Sequence, residues 1–315
     1  MPKHIFRRLF LRLTVVLAAL GISLNHSLAQ KSAKMSFQKG FHLLTIDKHE
    51  AIKHLSDAIR LDSSNAESYY YRGLVQYKLE ENEKAIVDFN KALHYDSTLS
   101  SIYIYKGFAY RNLGEINKAV EEFNTYLDKN PSDTSAYSLI LRGKWKQQSG
   151  NFSGAIKDYD MAVALKPIEE KYYYYRFLSL YKKQNYKIAL KEIDKVIALN
   201  PKFYGYQFYK GNTLYHLKSY EEAIIYYNKS LVLNDYNSDA YFQRGLAFEQ
   251  INNYEEAIES YNMAIIMNSN DGVYYSKRGN SRYEHGDRRG ACDDWDHANT
   301  LGYYEDYKKM KKLCD

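Results

Sequence analysis

The chain has 315 residues, more than one globular core usually holds, and a formal net charge of +6. Lys3, Arg7, Arg8 and Arg12 lie in the first 29 residues, which contain no acid, so taking these four from +6 leaves +2 for the remainder. That near-neutral balance, without a basic stripe, argues against a nucleic-acid partner.

In the first 29 residues, the basic residues precede an apolar run from Leu13 to Leu24, and Ser27-Leu28-Ala29 follows. A basic start, a short apolar stretch and small residues at −3 and −1 make a secretory signal, with cleavage expected between Ala29 and Gln30. The run is short for a membrane span, although an uncleaved N-terminal anchor fits the same flanks. There is no cysteine in the leader, which excludes a lipoprotein lipobox. The expectation is an exported protein of the periplasm or cell envelope, with secretion open and no integral membrane segment after cleavage.

From residue 32 a fixed period takes over. Ala51, Ala85, Ala119, Ala155, Ala189, Ala223, Ala257 and Ala291 recur every 34 residues, with one spacing of 36 between Ala119 and Ala155. Gly73, Gly107, Gly143, Gly211, Gly245 and Gly279 keep the same beat twelve residues earlier. A single period over this length is the mark of a solenoid. With the glycine at position 8 and the alanine at position 20, the units are 32–65, 66–99, 100–133, 136–169, 170–203, 204–237, 238–271 and 272–303. Positions 4, 8 and 11 share one helical face, and 20, 24 and 27 share another. Helix A is therefore expected over positions 2 to 14 and helix B over 17 to 30. Small residues at 8, 20 and 27 let two backbones approach. Large apolar ones at 24, from Leu55 to Trp295, fill the space beside them. Gly114, Gly150 and Gly286 at position 15 and Pro131, Pro167 and Pro201 at position 32 end the helices.

The segment Tyr69-Tyr70-Tyr71-Arg72-Gly73, with Lys84-Ala85-Ile86, Phe89 and Ala92-Leu93, resembles the tetratricopeptide repeat, and the likeness extends over residues 32 to 303. The resemblance is to exported bacterial members of that family. It implies an all-α, right-handed α-solenoid of about eight antiparallel helix pairs, with a concave groove lined by the A helices. Three departures are visible: Lys39 stands at position 8 of the first unit, Phe177 replaces the glycine of the fifth, and Tyr126 with a two-residue insertion precedes the fourth. Irregular packing between the third and fourth units is expected there.

After Gly302, residues 304–315 should fold back as a capping helix. An antiparallel return about 302–303 sets Cys292 opposite Cys314, which favours a disulfide in an oxidising compartment; a buried thiol beside a loose terminal one remains the alternative. His285, Cys292, Asp296 and His297 are close in sequence, but neighbours on a helix diverge by about 100°, so no metal site is assigned. No nucleophile motif and no phosphate loop is present. Neither a catalytic residue nor a cofactor is expected, and the chain is read as a non-enzyme.

In the family, positions 2, 5, 9 and 12 of helix A face the groove. The resemblance thus assigns partner contacts to Tyr70, Tyr77, Phe108, Tyr174, Tyr181, Phe208, Tyr215, Phe242 and Tyr283. Aromatic residues concentrate binding energy, although many of these also pack between units. Members that clamp acidic chaperone tails carry lysine at position 5; this chain does not, and an apolar segment fits better. Position 7 is basic in seven units and position 23 is acidic in most, which reads as a ladder of ion pairs between helices A and B. Tyr226 and Ser260 occupy position 23 in the sixth and seventh units, so Lys210 and Arg244 are left without an acid and are the candidate anion contacts. The resulting expectation is a scaffold presenting an aromatic groove to an unidentified protein or peptide segment. The alternative is a carbohydrate-binding envelope protein using the same groove. Oligomeric state is not assigned.

Overall fold

The computed structural model describes residues 27–130, 135–303 and 312–314. Among these residues there are sixteen helices and no strand. Helix α1 covers 27–42, followed by α2 (Lys48–Leu61), α3 (Ala66–Lys78), α4 (Asn82–Tyr95), α5 (Ser101–Asn112) and α6 (Ile116–Lys129). Then come α7 (Ala136–Gln148), α8 (Phe152–Leu165), α9 (Glu170–Lys182), α10 (Tyr186–Leu199) and α11 (Tyr204–His216). The last are α12 (Tyr220–Leu233), α13 (Ser238–Gln250), α14 (Tyr254–Met267), α15 (Gly272–Glu284) and α16 (Arg288–Thr300). Odd helices are the A helices and even ones the B helices; from α2 onward their bounds fall within a residue or two of the expected positions. The expected signal, residues 1–29, lies outside the described residues except for 27–29. The Ala29–Gln30 cleavage point falls inside α1. The capping helix lies outside the described residues apart from 312–314.

The chain forms two compact units, Met1–Thr134 and Ser135–Asp315. The division falls where the insertion and Tyr126 interrupt the period. Within each unit every A helix packs on its own B helix and each B helix on the next A helix. Consecutive A helices also touch, as α3 does α5, α11 does α13 and α13 does α15. No two consecutive B helices approach as closely, so the A helices line the inner side of each stack.

The small-residue rule explains the pair contact. A Cβ added at Gly211 would lie 2.6 Å from Cε1 of Tyr227, so the glycine is what admits a fully buried ring at position 24. The first unit corrects the sequence expectation. Gly40, not Lys39, fills this role: an added Cβ there would meet Leu55 Cγ at 2.8 Å and the Ala51 carbonyl oxygen at 3.2 Å. Gly40 stands eleven residues before Ala51, where the other repeats have twelve, so the glycine of the first unit is displaced by one place rather than lost. In the fifth unit Phe177 and Ile193 are both fully buried. There the ring stands on helix A and an aliphatic side chain on helix B, so the pair contact is filled by two large side chains instead of a glycine and an aromatic.

Helix ends follow one scheme. Glu80, Gly114, Gly150, Gln184, Lys218, Asn252 and Gly286 all occupy position 15 and all have positive φ. After α3, the Glu81 N–H reaches the Gln76 carbonyl and the Glu80 N–H the Tyr77 carbonyl, the paired bonds of a left-handed helix stop. Cys292 on α16 is bonded to Cys314, with Cα atoms 5.9 Å apart.

Candidate functional site

The expected groove residues all lie on A helices and all are half-buried. In the first unit of the fold, Tyr70 and Tyr77 pack against the core around Ala85, Phe89 and Ile102, and Tyr77 stands 6.3 Å from Phe108, centroid to centroid. In the second, Tyr174 and Tyr181 lean on the cluster containing Phe177 and Ile193. Phe208 and Tyr215 lean on that around Leu214 and Tyr227, and Phe242 on Tyr241 and Tyr274. Tyr283 sits 5.8 Å from Trp295. Burial raises the phenol pKa of Tyr181 to about 12 and shifts Tyr174 and Tyr215 in the same direction. These hydroxyls stay protonated and available as donors at neutral pH.

Tyr174 and Tyr181 both meet Tyr209, at 5.9 and 6.5 Å, and Phe208 shares one core cluster with Tyr215 and another with Phe242. Tyr174 stands 5.9 Å from Tyr209, which is 5.9 Å from Phe208, and these three rings line an open cavity of about 420 Å³. Tyr181 and Tyr215, a helical turn or more further along and outside the cavity lining, also pack on Tyr186 and Tyr220 at the start of the B helices. Phe242 packs on Tyr261 and Tyr274. The cavity draws its other walls from the turns between repeats: Phe203 before α11, and Asn234, Tyr236 and Asn237 before α13, with Ser238 and Asp239 in its first turn. Sequence reasoning passed over these residues because it followed helix faces. The available signal was an aromatic, Phe203 or Tyr236, in turns where the first and seventh units have Ser64-Asn65 and Asn270-Asp271.

The basic ladder is present and has a second rail. Arg72 donates two 2.7 Å bonds to Asp88, Arg142 pairs with Asp158, Lys106 with Glu122, Arg176 with Glu192 and Arg278 with Asp294. Several position-7 residues also reach position 25 of the preceding repeat. Arg72 bonds Ser56, Arg176 bonds Asp160, Arg244 bonds Asn228 and Arg278 bonds Asn262. Each such rung therefore ties helix A to two B helices. This overturns the expectation for Lys210, which pairs with Asp194 of the preceding repeat and donates to the Tyr226 hydroxyl at 2.7 Å. Burial works against its charge, but Asp194 and Tyr226 outweigh that and hold its pKa above the usual lysine value. Lys210 is not an open anion contact. Arg244 differs: its described partners are the neutral Ser260 and Asn228, and desolvation lowers its pKa.

Among the described residues no group of three or more His, Cys, Asp or Glu side chains is placed to hold a metal ion, and no helix is long and apolar enough to cross a membrane.

Models of the tetratricopeptide repeat match residues 66–99, 238–271 and 174–238, and a TPR-repeat model matches 49–80. A comparison with curated proteins finds no match. Among solved structures, the C-terminal part of a TPR repeat-containing protein from Cytophaga hutchinsonii is 20% identical with a TM-score of 0.65, over 78% of this chain and 99% of that one. MamA from Desulfovibrio magneticus RS-1 is 20% identical with a TM-score of 0.52, over 55% and 98%. The Cut9–Hcn1 hetero-tetramer of the APC/C is 15% identical with a TM-score of 0.50, over 85% and 52%. At these identities the likeness is one of fold.

Proposed function

The chain belongs to the tetratricopeptide-repeat family, and from that premise we propose that it is a non-enzymatic scaffold of the cell envelope that docks a segment of a partner protein on the inner faces of its A helices. The observation that carries this reading is the row of half-buried rings on α9, α11 and α13, held in place by fully buried neighbours on the B helices. Rings already ordered by the core lose little side-chain freedom on binding, so the partner meets a preformed surface. Export follows from the basic–apolar–small leader, with the mature chain starting at Gln30.

The test is capture from an envelope extract by the purified full chain, followed by affinity measurement with the partner so identified. Tyr181→Ala and Tyr215→Ala lie outside the open cavity and should each weaken binding by about thirtyfold, the effect of losing roughly 2 kcal/mol. Melting temperature is measured beside affinity, because both rings also pack. Normal binding by both variants would move the partner surface off the A helices.

A further inference from the structure

The cavity among α9, α11 and α13 has a chemistry that a docked apolar segment does not use. Phe203 and Tyr236 are its most exposed rings, at 44% and 78%. Two of its polar residues have their amides fixed. Asn234 Oδ1 accepts the Tyr236 N–H at 3.2 Å, and Asn237 Oδ1 accepts the Ala240 N–H at 3.1 Å. With each amide oxygen committed to the backbone, the NH2 is the end left over, and among the described residues nothing receives it. Asp239 accepts a long bond of 3.5 Å from the Tyr274 hydroxyl, which leaves carboxylate lone pairs open. No lysine, arginine or histidine lines the cavity.

This set discriminates among guests. An anion would meet the Asp239 carboxylate with no cation to offset it. A cationic group would be welcome to the rings and to Asp239 but would meet two amide NH2 groups, which are donors like itself. A purely apolar side chain would cover two donors and a carboxylate without replacing their hydrogen bonds to water, a penalty for each. A neutral ring bearing several hydroxyls satisfies all of them. Each hydroxyl both accepts and donates, so it bridges an amide NH2 and a carboxylate, while the C–H face of the ring packs on an aromatic plane. The volume, about 420 Å³, lies in the roughly 300–1,000 Å³ range of small-molecule sites.

We propose that this cavity is a carbohydrate site that seats a neutral pyranose unit of a glycan between the Phe203 and Tyr236 rings and the Asn234, Asn237 and Asp239 side chains. The cavity shares Tyr174 and Phe208 with the protein-docking face, but the groups that would bind the sugar come from the repeat turns and the first turn of α13.

The experiment is a printed array of neutral and acidic glycans probed with the purified full chain, followed by calorimetric titration with the best-retained glycan. Tyr236→Ala and Asp239→Asn are the variants, since both side chains are exposed and their replacement leaves the core intact. The expected result is retention of at least one neutral glycan, weakened tenfold or more by each variant at unchanged melting temperature, with Tyr181→Ala without effect. Absence of any retained neutral glycan would overturn the proposal. So would a preference for acidic glycans, or equal binding by wild type and both variants.

Discussion

The residue that closes each A helix from α3 onward takes a left-handed backbone conformation. Position 15 adopts positive φ in every repeat where it is described beyond the first, yet glycine occupies it in only some of them. Lys218, at φ 64° and exposed, pays the steric cost of a Cβ in the left-handed region without an evident return. Lys218→Gly should therefore raise stability by about 1 kcal/mol, seen as a higher urea midpoint at unchanged slope. A lower midpoint would mean that the lysine stem packs usefully. Glu249 is costly for a different reason, the burial of its carboxyl. Burial, partly offset by the hydrogen bond from Ser281, raises its carboxyl pKa in the folded chain. A raised folded pKa means that the charged form is disfavoured by folding, so its contribution to stability is full below about pH 4.5 and is lost as pH rises through the folded value. Glu249→Gln should match wild type near pH 4 and exceed it at pH 7.5 in the same urea assay, because the amide keeps an acceptor for Ser281 without a charge.

Between elements, two devices hold successive helices in register. One is the packing of position 8 on position 24 across the A–B contact, a glycine against an aromatic in other repeats and Phe177 against Ile193 in the fifth. The other is the ladder, in which a single basic side chain spans two B helices. Its weak rung is Arg244, which has Ser260 where Arg72 and Arg278 have Asp88 and Asp294. Ser260→Asp should give Arg244 a charged acceptor and stabilise α13 against α14. The gain is on the order of 1 kcal/mol, since a charge-assisted bond replaces a neutral one and the new carboxylate must be desolvated. Thermal unfolding in low and high salt checks it: the gain should persist in salt, because the site is largely shielded from solvent. A destabilised variant would show that the nearby Glu256 and Glu259, which also act on Arg244, repel the added charge more than Arg244 attracts it.

At the scale of the molecule, the compact unit Ser135–Asp315 ends in a bridge. Cys292 and Cys314 are 22 residues apart and bonded, and a closed loop of that length restricts the unfolded chain by about 3 kcal/mol in the loop-entropy account. Cys314→Ser, or reduction of wild type, should lower the melting temperature by several degrees and speed hydrogen exchange in α15 and α16, leaving α3 to α5 unchanged. Thiol counting on alkylated protein from its own compartment tests the bridge itself; two free thiols there would place the chain in a reducing environment and count against export.

Period, helix bounds and core positions were legible in the amino-acid sequence because a repeat asks the same question of each position eight times. An alanine required at 0% exposure in eight consecutive B helices leaves a pattern that no single helix would. Intra-repeat pairs such as Arg72 with Asp88 were legible for the same reason, since both residues recur in phase. What depended on stacking was not. Lys210 finds Asp194 one repeat earlier, and Phe203 and Tyr236 reach a common cavity from successive turns. The displaced glycine of the first repeat, Gly40, was recognisable only from what it touches. Local sequence sets which face of a helix is apolar, through 3.6-residue periodicity. Contacts between neighbouring repeats depend on the rotation of one helix pair against the next, and that is set by packing of side chains far apart in the chain.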